Sequence, residues 1–172
     1  EKYGAQTFES TVQDLMDYSE KRMRAELETF KDGKYTFIDK VEDDGIEDKE
    51  YEIHIAVYVQ GGEVVVDYTG SSKQAKGPIN ATLGVAWSAA FNAILHMTDE
   101  TIPLNSGCFR PIRVIAPAGT VMNVDYPGSE VGGNTETHPL IVSAIFGAMV
   151  DCVPDRVMAS EGTTHGLSLI HI

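Results

Sequence analysis

Apolar residues recur at intervals of three and four from the start of the chain. Phe8, Val12, Leu15, Met16, Met23, Leu27 and Phe30 form one stripe, and Gln13, Asp14, Glu20, Lys21 and Glu26 fill the other face. That period predicts an amphipathic helix over residues 7–30, packed along its stripe. Thr7 is placed to cap its start, and Gly33 to turn left-handed just past its end. Then the period changes. Tyr35-Thr36-Phe37-Ile38 has strand composition, and from Tyr51 strict alternation sets in, with Tyr51, Ile53, Ile55, Val57 and Val59 between Glu52, His54, Ala56, Tyr58 and Gln60. This is the pattern of a half-buried strand. Gly61-Gly62 suits a tight hairpin turn, and Glu63-Val64-Val65-Val66-Asp67-Tyr68 returns as the partner strand. His54, on the polar face, reads as a surface histidine.

A second helix is predicted over residues 82–96, apolar nearly all round and therefore buried, with small residues such as Ala86, Ala89, Ala90 and Ala93 permitting close approach. Residues 112–116 and 121–124 read as short strands flanking the turn Pro117-Ala118-Gly119. A third helix runs from Pro139 or Leu140 to Val150, with Pro139 suited to a first helical position. No repeat or linker divides the chain. The expected class is α+β: an antiparallel hairpin and further short strands, with helices packed on one side.

Composition narrows the function. Hydrophobic residues make up 42% and charged residues 23% of 172, a folded balance, and the net charge is −13. That acidity argues against nucleic acid and anionic membranes as partners. No run approaches the roughly 20 apolar residues of a membrane span, and no cationic start followed by an apolar run suggests a signal peptide. Cys108 and Cys152 are too few for a disulfide framework and too isolated for a zinc knuckle, so buried thiols in a reducing cytoplasm are expected. The acidic run 42–50 fails as a calcium loop: with Gly45 as its glycine, Lys40 takes the first position and Tyr51 the last. It reads as an exposed connection. Phosphate-loop, dinucleotide-binding and H-E-x-x-H patterns are absent, and Gly128-Ser129-Glu130-Val131-Gly132 has its serine one place early for a nucleophile elbow.

Polar residues instead gather in loops marked by glycine and proline. Asn80, in Gly77-Pro78-Ile79-Asn80, stands ahead of the second helix as either its cap or a ligand group. Asn105 and Arg110 surround a turn, where the guanidinium suits either a bound carboxylate or a structural ion pair. The densest cluster is Gly132-Gly133-Asn134-Thr135-Glu136-Thr137-His138, a ligand loop or an ordinary loop with Thr137 as a cap. Ser160-Glu161-Gly162-Thr163-Thr164-His165-Gly166 repeats the style.

The ordered blocks D-Y-T-G-S-S (67–72), G-P-I-N (77–80), I-P-L-N-S-G-C-F-R-P-I (102–112), P-A-G-T (117–120), G-G-N-T-E-T-H (132–138) and P-D-R-V-M-A-S-E-G-T-T (154–164) resemble the hydantoinase B family. That family takes in N-methylhydantoinase B subunits, the matching region of 5-oxoprolinase and the alpha subunits of acetone and acetophenone carboxylases. The resemblance implies an enzyme subunit working with a hydantoinase A-type subunit or fused domain that carries the ATP site. Its substrate would be a small cyclic amide, opened by hydrolysis, or, in the alternative, a ketone to be carboxylated. A third reading makes the region a non-catalytic scaffold for the A-type partner.

The resemblance further implies that residues 1–166 are an internal fragment of a hydantoinase B-type domain, inactive alone, and that 167–172 are a non-native tail. A divalent metal in the carboxylase members is held in an earlier region with no counterpart here, so no metal ligand is assigned. Asn80, Asn105, Arg110, Asn134, Glu136 and His138 are the pocket candidates. Many members carry Ser in place of His138.

Overall fold

A computed structural model of the chain describes residues 3–159. The alternation is realised in β2 (Tyr51–Gln60), which buries Tyr51, Ile53, Ile55, Val57 and Val59 on one face and pairs antiparallel with β3 (Glu63–Asp67). Gly61 and Gly62 between them both hold positive φ, 54° and 78°, as a two-residue hairpin turn requires. β1 (Gly33–Val41) pairs antiparallel with the other edge of β2 and is longer than the 35–38 of the sequence reading. Gly33 opens this strand and does not close the preceding helix in a left-handed conformation.

β4 (Ile112–Ile115) adds to β3 in parallel, giving the order β1-β2-β3-β4. A parallel neighbour needs a crossover. It is supplied by α2 (Leu83–His96) and α3 (Ser106–Phe109), the latter inside what reads from sequence as plain loop. Residues 121–124 are not a strand. Their backbone groups are used otherwise: Val121 O accepts from Ala81 N at 2.7 Å, and Val124 N donates to Ala81 O at 3.1 Å.

The helices cover one face of the sheet. The pairs Tyr35↔Val57, Val57↔Val66 and Val66↔Val114 line up the core-facing residues of all four strands. α4 (His138–Met149) lies over β1 and β2 and buries Ile141, Ala144, Ile145 and Met149, while α2 packs against α4. α2 is not buried all round: Ala86, Ala89, Ala90, Ala93 and Ile94 face inward, but Trp87 is 45% exposed. Thr82 caps it by accepting from Val85 N. α1 (Ala5–Leu27) divides its stripe in two. Ser19, Met23 and Leu27 are buried, whereas Phe8, Val12 and Leu15 stand in solvent. Gly4 precedes it, so Thr7 is not the cap; the Thr7 carbonyl accepts from the Ser10 and Thr11 hydroxyls. Among the described residues no helix is long and apolar enough to cross a membrane.

The acidic connection 42–50 is only partly exposed. Asp44 is buried, and its carboxylate takes four donors: Ile46 N, Glu47 N, Gly77 N and the Tyr51 hydroxyl, at 2.6–2.9 Å. The Glu47 backbone N–H, helped by those of Gly77 and Ile46, holds this carboxyl well below the usual range, and burial pushes the Tyr51 phenol up to about 12. A depressed carboxyl stabilises the fold fully above its unfolded pKa of about 3.9 and ceases to do so as pH falls through the folded value. Asp44→Asn is therefore expected to lower the unfolding midpoint at pH 7 and flatten its fall in acid, as followed by circular dichroism between pH 7 and pH 2. An unchanged acid limb would contradict this role.

Candidate functional site

One largely buried loop, residues 75–82, underlies the other polar loops. Asn80 is buried within it and saturated: its Oδ1 accepts from Ala75 N at 2.7 Å, and its Nδ2 donates to the carbonyls of Ala75, Gly77 and Ser129 at 3.0, 3.1 and 2.7 Å. Asn80 thus neither caps α2 nor has a hydrogen-bonding atom left over; it fastens the loop before α2 to the loop before α4.

The Gly132–His138 cluster is neither a loose loop nor a simple cap. Residues 131–132 are already helical, and Gly133–Thr137 form a π-helical turn that runs into α4. Such wide turns are frequent at functional sites because they displace side chains from the regular helical register. Here the turn is pressed onto the 75–82 segment. Gly132 N donates to Pro78 O at 2.6 Å, and the buried Thr137 hydroxyl donates to Ile79 O. A Cβ on Gly133 would come within 2.0 Å of Asn80 O, so only glycine permits this approach.

Two cavities flank the turn. Glu136 lines an acidic one of about 670 Å³, together with Asp39, Glu42, Asp43, Asp44 and Lys40. His138 lines one of about 260 Å³ between α2 and α4, with Asn92, His96, Ser143 and the apolar Val142 and Phe146. The His138 Nε2 lies 3.4 Å from the Ser88 hydroxyl, and burial pushes its pKa below the ordinary histidine value, favouring the uncharged ring. Asn134 is exposed and lines neither.

Asn105 and Arg110 sit elsewhere, at the junction of α1 and α3. Asn105 caps α3 through Gly107 N at 2.8 Å and donates to the Ser19 hydroxyl at 2.7 Å. Arg110 bridges Asp17 and Glu20 of α1 at 2.7 and 2.9 Å, the structural ion pair. The six candidates do not converge: Glu136 and His138 alone line the cavities beside the turn. Ser88, Asn92 and His96 escaped the sequence reading although their spacing of four draws a polar line along an apolar helix. Both thiols are buried and pushed up by desolvation, against a nucleophilic role. Among the described residues no three His, Cys, Asp or Glu side chains gather as a metal site. The Ser160–Gly166 cluster and the 167–172 tail lie outside the described residues.

The family model for hydantoinase B/oxoprolinase matches residues 1–171. The chain belongs to that family. It is 34% identical, over 94% of its length, to a protein of Pseudomonas sp. (strain NS671) provisionally named as the B-type subunit of a D-/L-hydantoinase. It superposes on the ATP-dependent caprolactamase of Pseudomonas jessenii with a TM-score of 0.81 and 25% identity over 90% of the chain. An acetone carboxylase in its nucleotide-free form matches with a TM-score of 0.82 over 94% of the chain at 14% identity, a likeness of fold. The chain spans less than a third of each relative: 29%, 27% and 24% of their lengths.

Several blocks that mark the hydantoinase B resemblance act here as framework. In 67–72 the buried Tyr68 hydroxyl donates to Ala86 O at 3.0 Å, and the Ser71 and Ser72 hydroxyls accept from His54 N and Glu52 N. In 77–80 and 132–138 the framework is the clasp of Asn80, Gly133 and Thr137. Asn80→Ala is expected to cost about 2–3 kcal/mol in urea unfolding, since it strands a buried N–H and three carbonyls. Gly133→Ala should also destabilise, while exposed Asn134→Ala should stay within about 0.5 kcal/mol. Equal effects at positions 80 and 134 would refute the clasp.

Proposed function

We propose that this chain is part of a hydantoinase B-type subunit of an ATP-dependent cyclic-amide hydrolase, acting with a hydantoinase A-type subunit or fused domain. The observation that carries the reading is the superposition, across nearly all of the described fold, on an ATP-dependent caprolactamase. The word "subunit" in the hydantoinase relative's name supports a partner chain.

The chemistry requires two parts. An unstrained amide resists water because its nitrogen lone pair is delocalised and the nitrogen leaves poorly. Transfer of the γ-phosphoryl of ATP to the amide oxygen gives an imidate phosphate and ADP. Water then adds at the carbon, the C–N bond breaks with the nitrogen leaving as the amine, and the acyl phosphate so formed is hydrolysed by a second water to a carboxylate and phosphate. The balance is one cyclic amide, one ATP and two waters giving one ring-opened amino carboxylate, ADP and phosphate. ATP and its phosphoryl chemistry belong to the A-type partner in this reading, and any divalent metal lies outside this chain. This chain supplies a pocket of neutral polar groups that holds the ring while bulk water is kept from the activated species. The two buried free cysteines fit a cytoplasmic setting.

The test is turnover by the subunit carrying this sequence, coexpressed with a hydantoinase A-type partner. ADP release coupled to opening of hydantoin, 5-oxoproline or caprolactam is expected. Bicarbonate fixed onto a ketone, with no ring opening, would overturn the reading. Intact turnover with weakened partner binding on Glu136→Ala and Asn134→Ala would move the role of the π turn toward scaffolding.

A further inference from the structure

β1 pairs with β2 on one side, and among the described residues no strand pairs with it on the other. None of its nine residues is buried. The register decides which of its backbone groups point off the sheet. Glu52 N and His54 N donate to the Ser72 and Ser71 hydroxyls, and Glu52 O accepts from Ser72 N, so these even-numbered residues of β2 turn away from β1. The odd-numbered residues of β2 therefore bond to β1, through partners that are odd-numbered too, such as Phe37↔Ile55. Lys34, Thr36, Ile38 and Lys40 are left facing outward. Lys40 N is closed by the adjacent Asp39 Oδ1 at 2.9 Å. Among the described residues the N–H and C=O groups of Lys34, Thr36 and Ile38 meet no partner.

The side chains along this open ladder say what it would take. On the helix face Phe37 lies against Gly147 of α4, where an added Cβ would come within 2.9 Å of its ring, yet it is 39% exposed. On the other face Ile38 is 58% exposed. Beyond Phe37 the helix face turns acidic. Asp39, Glu42, Asp43 and Glu136 line the cavity of about 670 Å³, and Lys40, the base among its lining residues, is paired with Glu50. A strand added here would set alternate side chains beside Phe37 and Asp39, about 5 Å away between Cβ atoms. The first position suits an apolar residue and the second a Lys or Arg. Two copies of β1 do not meet this demand. Paired antiparallel over their full length, they would set Lys34 opposite Lys40 of the other copy and bring no base to the carboxylates.

An uncovered edge of nine residues is an aggregation hazard. A strand from a separable chain would expose it at every dissociation, whereas one tethered in the same polypeptide keeps it closed through a high effective concentration. The length for such a strand exists: the chain spans 29% of its hydantoinase relative, so more than two thirds of that B-type subunit lies outside the matched part.

We propose that β1 is completed by a fifth strand from the remainder of the same B-type subunit. That strand bonds to the backbone of Lys34, Thr36 and Ile38, lays an apolar side chain on Phe37 and, two residues along, reaches the acidic cavity with a Lys or Arg. Main-chain bonds supply the affinity of such an addition and alternate side chains its selectivity. The proposal rests on the B-type subunit reading above and adds to it the edge through which this part of the subunit joins the rest.

The test is hydrogen–deuterium exchange of the full-length subunit carrying this sequence, without A-type partner or ATP, resolved to single amides by fragmentation in the mass spectrometer. The Lys34, Thr36 and Ile38 amides are expected to exchange at least about a hundredfold more slowly than in an unstructured peptide. Free exchange at these three, with Tyr35 and Phe37 protected, would overturn the proposal. Protection that appears only on adding the A-type partner, or that grows with subunit concentration, would overturn the assignment to the same polypeptide. A photoreactive residue in place of Ile38 should give a crosslink within the subunit, to a segment with an apolar and a basic residue two apart. Crosslinks to the A-type chain or to a second copy would count against it. Thr36→Pro, which an open edge tolerates because its N–H faces water, should lower the urea midpoint of the subunit, and an unchanged midpoint would contradict the pairing. None of these measurements involves turnover, so the ring-opening experiment judges the cyclic-amide reading separately.

Discussion

The candidate site depends on how the polar backbone of residues 75–82 is shared out. A loop in a protein interior has to place every N–H and C=O, and this one divides them between two neighbours. The Ala81 groups pair with Val121 and Val124, while the Pro78 and Ile79 carbonyls receive Gly132 N and the Thr137 hydroxyl. Asn80 then closes the loop upon itself and onto Ser129. The π turn is consequently shaped by the surface it rests on. Its width, and with it the outlook of Glu136 and His138, follows from where the 75–82 carbonyls stand. This explains why conspicuous polar residues in the family blocks prove to be fasteners. A binding site needs rigid support, and here the support is polar because its elements are loops and not ladders.

The parts of the fold legible in the sequence are those where one period dominates. The alternation from Tyr51 to Val59 specified β2, its buried face and its hairpin partner, because a half-buried strand has no other way to pattern its side chains. The parallel docking of β4 was not legible: four residues carry too little periodicity, and parallel pairing is decided by a distant crossover. Residues 121–124 have strand composition but found their partners in a loop. The π turn has no sequence period of its own, since glycines and polar residues fit an open loop equally well. The polar line Ser88–Asn92–His96 was visible in principle, but each residue alone fits the exposed side of a helix, and only the packing of α4 beside it brings Asn92 and His96 into a cavity.

α1 carries a related lesson about stripes. Its apolar period runs unbroken from Phe8 to Leu27, yet the body of the fold covers only the later part. Asn105 on Ser19, and Arg110 on Asp17 and Glu20, fasten the helix to α3 at the point where cover begins. Period reports that a face is apolar; tertiary contacts decide whether it is covered.

The two cavities come closest where the π turn runs into α4: Glu136 of the turn lines the acidic one, and His138, the first residue of α4, lines the other. Glu136 and His138 are two residues apart, which in helical geometry is about 5–6 Å between Cα atoms, while electrostatic screening in physiological salt acts over roughly 8 Å. Glu136 and His138 therefore stand within one screening length of each other at the backbone, one facing each cavity. One turn of backbone thus separates a cavity lined with carboxylates from one whose described lining bears no Asp, Glu, Lys or Arg.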